Sequence, residues 1–169
     1  MNRQYLYSLF IFLALLSCSK PASNLTPSGE LSDTEKTTIS EEVREMFTNY
    51  YADIKKNGMT AEFNYLDHSP SFYWLVPGAT RPITYAEAEQ GVNQQAQLYA
   101  SIDNKWKSLY VYPLKSDLAF YTGEMESTVT DKSGNSSTYT VVESGIVIKR
   151  LDGWKLLNGQ TTTIKAEAH

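Results

Sequence analysis

Cysteine is nearly absent: Cys18 is the one thiol in 169 residues. A single thiol cannot form an internal disulfide or a cysteine-rich metal site, so neither supports the fold. Histidine is almost as scarce, with only His68 and the C-terminal His169. No metal centre and no cofactor are therefore expected. The 15 Lys and Arg residues are scattered among 19 Asp and Glu. Without a basic cluster, nucleic acid is not an expected partner. Long apolar runs are missing too. The longest, Leu9 to Leu16, has 8 residues, and a bilayer-crossing helix needs about 20.

That short run is the right length for a signal-peptide core, and Arg3 precedes it. It closes on Leu15-Leu16-Ser17-Cys18, which resembles the lipobox of bacterial lipoproteins. The resemblance implies cleavage after residue 17, lipid on Cys18, and attachment to the bacterial cell envelope. Ser19, where an Asp would retain the protein at the inner membrane, implies the outer membrane in a Gram-negative host. Losing residues 1–17 removes one positive charge, Arg3, and no negative one. An acidic chain is repelled by anionic headgroups, so the lipid must supply the membrane attachment. Residues 18–31 are small, polar and proline-bearing and read as a flexible tether. Residues 32–169 read as one α+β domain.

Aromatic residues are abundant, with 12 Tyr, 6 Phe and 3 Trp. They suit a β-rich domain with an aromatic interior. A first helix is predicted from Ile39, Val43, Met46, Phe47, Tyr50 and Ile54 at helical spacing. Ser32 with Glu35, or Thr38 with Glu41, offers its capping box, and Asn57-Gly58 its stop. A short second helix is expected near residues 60–66. The aromatic segment 71–76 reads as a strand, Pro77-Gly78 as a type II turn, and 81–83 as a return strand. Thr84 and Glu87 cap another helix, whose apolar face is Ala88, Val92, Ala96 and Tyr99. Four strands follow, near 104–114, 117–129, 138–150 and 154–164, with Asp152-Gly153 as a tight hairpin turn. This order predicts an α+β cone: a curved antiparallel sheet with helices packed on its concave face.

Phe72-Tyr73-Trp74, the segment from Tyr112 to Gly123, and Asp152-Gly153-Trp154-Lys155-Leu156-Leu157 together resemble the SnoaL-like, or nuclear transport factor two-like, superfamily over residues 35–164. That superfamily includes isomerases, dehydratases, small-ligand binders and interaction modules, so the resemblance implies a fold rather than a function. Ketosteroid isomerase relatives pair a tyrosine with a neutral aspartic acid, and no such pair stands out here. Many members carry histidines on the last strand where this chain has Asn158 and Gln160. Amides orient ligands but do not exchange protons near neutral pH.

Simple alternation assigns strand faces. It places Trp106, Ser108, Tyr110 and Tyr112 on one face, Tyr139, Val141, Glu143, Gly145 and Val147 on another, and Trp154, Leu156, Asn158, Gln160 and Thr162 on a third. Turned inward, these faces predict an aromatic pocket with Tyr73, Tyr112, Glu143, Asn158 and Gln160 as ligand-binding residues. Glu143 stands among Val and Ile. If buried, its pKa would rise and it would be the candidate general base; an outward, solvated glutamate is the default. Asp67-His68 reads as a surface loop rather than a dyad, because adjacent loop residues rarely face each other. The expected function is non-catalytic binding of a small apolar or amphipathic molecule or of a protein partner. An isomerase- or dehydratase-type enzyme and a dimerising structural module are the alternatives, and a homodimer fits any of the three.

Overall fold

The computed structural model describes residues 30–164. The leader, Cys18, the tether through residue 29, and His169 lie outside the described residues.

Helix α1 runs from Asp33 to Asn57. Of its two candidate capping boxes, Ser32 with Glu35 starts it: the Ser32 amide donates to Glu35 Oε2 at 2.7 Å, and Glu35 N donates back to Ser32 Oγ at 3.3 Å. Gly58, at φ 87°, ends it. That left-handed φ favours glycine. The predicted stripe, Ile39, Val43, Met46, Phe47, Tyr50 and Ile54, is buried as a set. A 3-10 helix, Met59–Asn64, follows directly and forms the predicted short second helix.

Strand β1 is only Tyr73–Leu75. The Ala79 amide donates to Val76 O at 3.1 Å with Gly78 at φ 79°, closing the expected turn. The return strand shrinks to one antiparallel bridge, Trp74 with Ile83. Helix α2, Tyr85–Leu98, carries the Thr84–Glu87 capping box, and its inward face is narrow: Ala88 and Val92 are buried, while Ala96 and Tyr99 are half-buried.

Four long strands complete the domain: β2 (Tyr99–Lys115), β3 (Leu118–Asp131), β4 (Ser136–Arg150) and β5 (Gly153–Ile164). They form an antiparallel meander, and β1 adds in parallel to β5, giving the order β1-β5-β4-β3-β2. The sheet curls without closing, and α1 lies against its concave side.

Glycines let aromatic rings lie flat on that concave surface. A Cβ on Gly123 would meet the Ser108 carbonyl and the Trp106 ring; one on Gly159 would meet the Ser144 carbonyl and the Trp74 ring. At these two glycines the floor of the cone is bare backbone, and Trp106 and Trp74 occupy the space that side chains would take. Phe47 then packs against Trp106 at 5.3 Å and against Tyr121 at 4.6 Å between ring centroids. Phe47 and Tyr121 have no exposed surface at all.

Two bulges decide which side chains face inward. Lys107 has no partner on β3, and Leu157 has none on β4. Each extra residue reverses the alternation beyond it. On β2, Trp106 faces the core opposite Met125, but from Ser108 onward the inward residues are Leu109 and Val111. On β5, Trp154 and Leu156 face inward, and beyond the bulge the inward residues are Gly159 and Thr161.

Candidate functional site

The bulges redraw the predicted pocket. Glu143 is inside the cone, only 8% exposed. Asn158 pairs with the outward Ile146, and Gln160 with the outward Ser144, so both amides lie on the convex face. Tyr112 pairs with Phe120 on that same face and is 51% exposed. Tyr73, beside Asn158 in the parallel pairing, is also exposed. Of the five residues grouped by alternation, the structure brings only Glu143 into the interior. For Tyr112, Asn158 and Gln160 the physical reason is that a strict period of two cannot hold across an inserted residue; Tyr73 follows Asn158 to the outer face through the parallel pairing. Tyr139 keeps its concave-face parity but is exposed, because it lies beyond the part of the sheet that α1 covers.

Glu143 lies in a hydrogen-bonded chain. The Tyr121 hydroxyl donates to Glu143 Oε1 at 2.7 Å, and the Thr161 hydroxyl donates to Oε2 at 3.2 Å. Trp74 Nε1 donates in turn to the Thr161 oxygen at 2.8 Å. Burial pushes the Glu143 carboxyl up to about 7, although the Tyr121 and Thr161 donors pull the other way.

A second acid joins it. Glu62, on the 3-10 helix, is likewise pushed up to about 7, first by burial, against the pull of the Tyr50 hydroxyl beside it, and further by the charge of Glu143. Glu62 is half-buried, whereas Glu143 is buried against the sheet. Tyr50, Tyr51 and Tyr121 all have their hydroxyl pKa raised, chiefly by burial and then by the two acids and one another. Among the described residues, neither Glu62 nor Glu143 has a Lys, Arg or His ion-pair partner.

Three buried polar atoms find no partner: Tyr51 Oη, Asn104 Oδ1 and Trp106 Nε1. The Tyr51 and Trp106 rings are in contact, with centroids 5.9 Å apart, and Trp106 meets Tyr121 edge-on at 6.3 Å. An unpaired buried polar group costs about 1–3 kcal/mol. Native interiors leave few such atoms unpaired, so Tyr51 Oη and Trp106 Nε1 stand out in this core.

An open cleft of about 1090 Å³ is lined in part by Glu42, Asp67, Lys149, Arg150 and Trp154. These four charges are matched in pairs. Arg150 grips Asp67 with two hydrogen bonds, 2.7 and 2.9 Å, and Ser69 donates to the same carboxylate. Glu42 takes hydrogen bonds from Lys149 at 2.7 Å and from Trp154 Nε1 at 2.8 Å. The Arg150 hydrogen bonds hold Asp67 below the ordinary range of its carboxyl. His68 is exposed and stacks on Tyr85 at 4.2 Å, so Asp67 and His68 form no dyad. The cleft is also lined by Glu45, Asn49 and Asp53; what sets the cone apart from it is the buried, raised Glu143 carboxyl and the unpartnered buried polar atoms.

Sequence reasoning missed Glu62, and it did not single out Tyr50, Tyr51 and Tyr121 from the other tyrosines. Signals for the strand register existed. Trp106, Leu109 and Val111 are apolar at spacings of three and then two, and Leu156-Leu157 is an apolar doublet. Both patterns mark a bulge. With the register corrected, Tyr121 falls between Ala119 and Gly123 on the inward face.

Comparison with known proteins gives the fold. No family model and no curated protein sequence matches the chain. Solved structures do. A nuclear transport factor 2 (NTF2-like) superfamily protein from Salmonella enterica serovar Typhimurium is similar at a TM-score of 0.64 and 15% identity, over 78% of this chain and 95% of that one. A hexachlorocyclohexane dehydrochlorinase from Novosphingobium barchaimii is similar at 0.60 and 12% identity, over 79% and 92%. A calcium/calmodulin-dependent protein kinase II association domain from Xanthomonas campestris is similar at 0.61 and 20%, over 75% and 88%. The chain has the NTF2-like, or SnoaL-like, α+β fold.

Proposed function

We propose that this is a lipid-anchored protein of the bacterial envelope whose cone binds a small apolar or amphipathic molecule. The observation that supports the binding reading is the make-up of the interior: the rings of Phe47, Tyr51, Trp106 and Tyr121 pack on one another around Glu143 and the unpartnered Tyr51 hydroxyl, so a ligand there must part the rings. Apolar walls with a few convergent polar groups are what a small-ligand site requires. The anchoring rests on Leu15-Leu16-Ser17-Cys18, and Ser19 in place of an Asp favours the outer membrane in a Gram-negative host. Native mass spectrometry of protein extracted from membranes tests both halves. The expected spectrum shows acyl mass on Cys18 and a dissociable small-molecule adduct. An unmodified Cys18 removes the anchoring; failure to bind any member of an apolar and amphipathic library removes the ligand site.

The Glu143–Tyr121 pair favours a second reading, an isomerase- or dehydratase-type enzyme. A carboxyl pushed up to about 7 is poised as a general base, and the Tyr121 hydroxyl 2.7 Å away is a donor for developing negative charge. One neighbour of the same fold is a dehydrochlorinase. Incubating the bound molecule with the protein separates the two. Recovery of the molecule unchanged supports binding, and consumption that stops in Glu143→Gln supports catalysis. For the third expectation, a homodimer, the convex face with exposed Tyr73, Tyr110 and Tyr112 is the candidate contact. Sedimentation of the full chain measures it.

A further inference from the structure

The two ends of the sheet differ. The β2–β3 and β4–β5 turns lie at one end and the β3–β4 loop at the other. Residues 132–135 of that loop are Lys-Ser-Gly-Asn, without an apolar side chain. The β4–β5 turn instead carries Leu151, fully exposed, at a tip closed by the pairing of Arg150 with Gly153. Leu114, at the β2–β3 turn, is exposed as well. The Lys149 amide donates to Asp117 O at 2.8 Å, so the two turns adjoin. Turn tips favour Asn, Asp, Ser and Gly, and a leucine there serves no turn geometry. A single exposed leucine is ordinary, and Leu98, whose carbonyl accepts from Lys132 at the opposite end, is one. What distinguishes Leu151 is where the chain enters the domain.

Helix α1 starts at the Leu151 end and runs to the opposite one. Glu42, in its first half, accepts from Lys149 at 2.7 Å, and Lys55, near its last turn, bonds Asp103 of β2 at 2.8 Å. Leu31, just before the helix, packs against the core. Cys18 precedes Glu30 by 12 residues, which can span at most about 40 Å. The 14 residues of β3 extend about 45 Å. A lipid on Cys18 therefore ties the Leu151 end to the bilayer by a segment no longer than the sheet.

We propose that the β4–β5 tip is a membrane-contact surface: Leu151, with Leu114 on the adjoining turn, enters the interface of the bilayer that holds the Cys18 lipid, and the domain stands with the start of α1 toward the membrane. This rests on the reading of Cys18 as the lipid anchor and adds the protein surface that meets the same bilayer. An apolar tip surrounded by water gains by burial at the boundary between headgroups and acyl chains. The anchor already holds the domain at the surface, so contact by the tip is an intramolecular step and a small apolar area suffices. The basic residues flanking Leu151 are paired, Lys149 with Glu42, Arg150 with Asp67 and Lys155 with Asp152. The contact is therefore apolar and does not require anionic lipid.

The test uses the full lipidated chain in phosphatidylcholine–phosphatidylethanolamine vesicles that carry a nitroxide-headgroup lipid. Cys18 is the one cysteine, and acylation occupies it. Ser116→Cys, in the exposed β2–β3 turn, and Ser133→Cys, in the exposed β3–β4 loop, each then offer one thiol for a fluorophore. The label at 116 should be quenched about threefold or more strongly than the label at 133. Leu151→Ser, at a fully exposed position that the fold does not need, should lower quenching at 116 to the level at 133. High salt should leave the difference in place. Equal quenching of the two labels overturns the membrane contact and leaves the anchoring standing. So does quenching at 116 that Leu151→Ser leaves unchanged, or that high salt abolishes. Absence of acyl mass on Cys18 overturns both.

Discussion

Asp67 and Glu143 are the two fully buried acids among the described residues, 4% and 8% exposed, and their surroundings are opposite. Asp67 sits at an outer corner, where the loop after the 3-10 helix runs beside β5: its amide donates to Leu156 O at 2.8 Å, and Leu156 N donates to Tyr65 O at 2.7 Å. Its carboxylate is satisfied by Arg150 and Ser69 and stays ionised easily. Glu143 has hydroxyl donors and no cation, so burial dominates and its carboxyl resists ionisation. Burial alone does not reveal a functional acid; the absence of a counter-charge does. The corner holds the fold together, and the cone keeps its acids uncommitted.

The largest expected effect is in the corner. Trp154 is 5% exposed, its Nε1 bonds Glu42, and the Lys149 ammonium lies 5.8 Å from its ring centre. Trp154→Ala should cost about 3–5 kcal/mol in denaturant titration. A loss below about 1 kcal/mol would remove the corner from the list of structures that stabilise the domain.

Next come the two acids themselves, with opposite signs expected. Asp67 has a lowered folded pKa, so its contribution is present above the unfolded value near 3.8 and is lost as pH falls through the folded one. Asp67→Asn should therefore destabilise at neutral pH, by about 2 kcal/mol, the scale of hydrogen bonds to a charged partner. Glu143 has a raised folded pKa, so the folded state binds the extra proton between about 4.5 and 7, and stability falls as pH rises across that window. Glu143→Gln should stabilise at pH 8 by about 1–2 kcal/mol, and the gain should vanish by pH 4. Paired melts of both variants across pH measure this. A Glu143→Gln protein less stable than the parent at pH 8 would mean that the Tyr121 hydrogen bond outweighs the cost of burying the charge.

The smallest effects belong to the residues that alternation misplaced. Asn158→Ala and Gln160→Ala, on the convex face, should each change stability by less than about 0.5 kcal/mol and leave ligand affinity unchanged. A tenfold loss of affinity in either would move the site out of the cone.

Most of the fold was legible because it was written in local patterns. The capping boxes at Ser32 and Thr84, the stops at Gly58 and Gly78, and the Asp152-Gly153 turn each act within four residues, and the buried stripe of α1 repeats at one period. The parallel addition of β1 to β5 was not legible, since it joins Tyr73 to Asn158 across the whole domain. The site was half legible. Glu143 stood out as a charge in an apolar strand, but its inward direction was set by β4 register. Glu62 was invisible as a partner because only the packing of the 3-10 helix brings it near Glu143. Asn158, Gln160 and Tyr112 were misplaced by single inserted residues whose marks, a doublet of leucines and a three-residue gap, are easily read as ordinary core.

Leu157 has a consequence for how the interior can change. It works like one added letter in a coded message: everything after it is read in a shifted frame. Inserting one further residue after it would bring Asn158 to the place of Gly159 and Gln160 to the place of Thr161. Trp74, which lies flat only because Gly159 has no side chain, would be evicted in the same step. One codon gained there would re-line the interior with amides and clear an indole from its floor, a change that no single substitution in the strand could make.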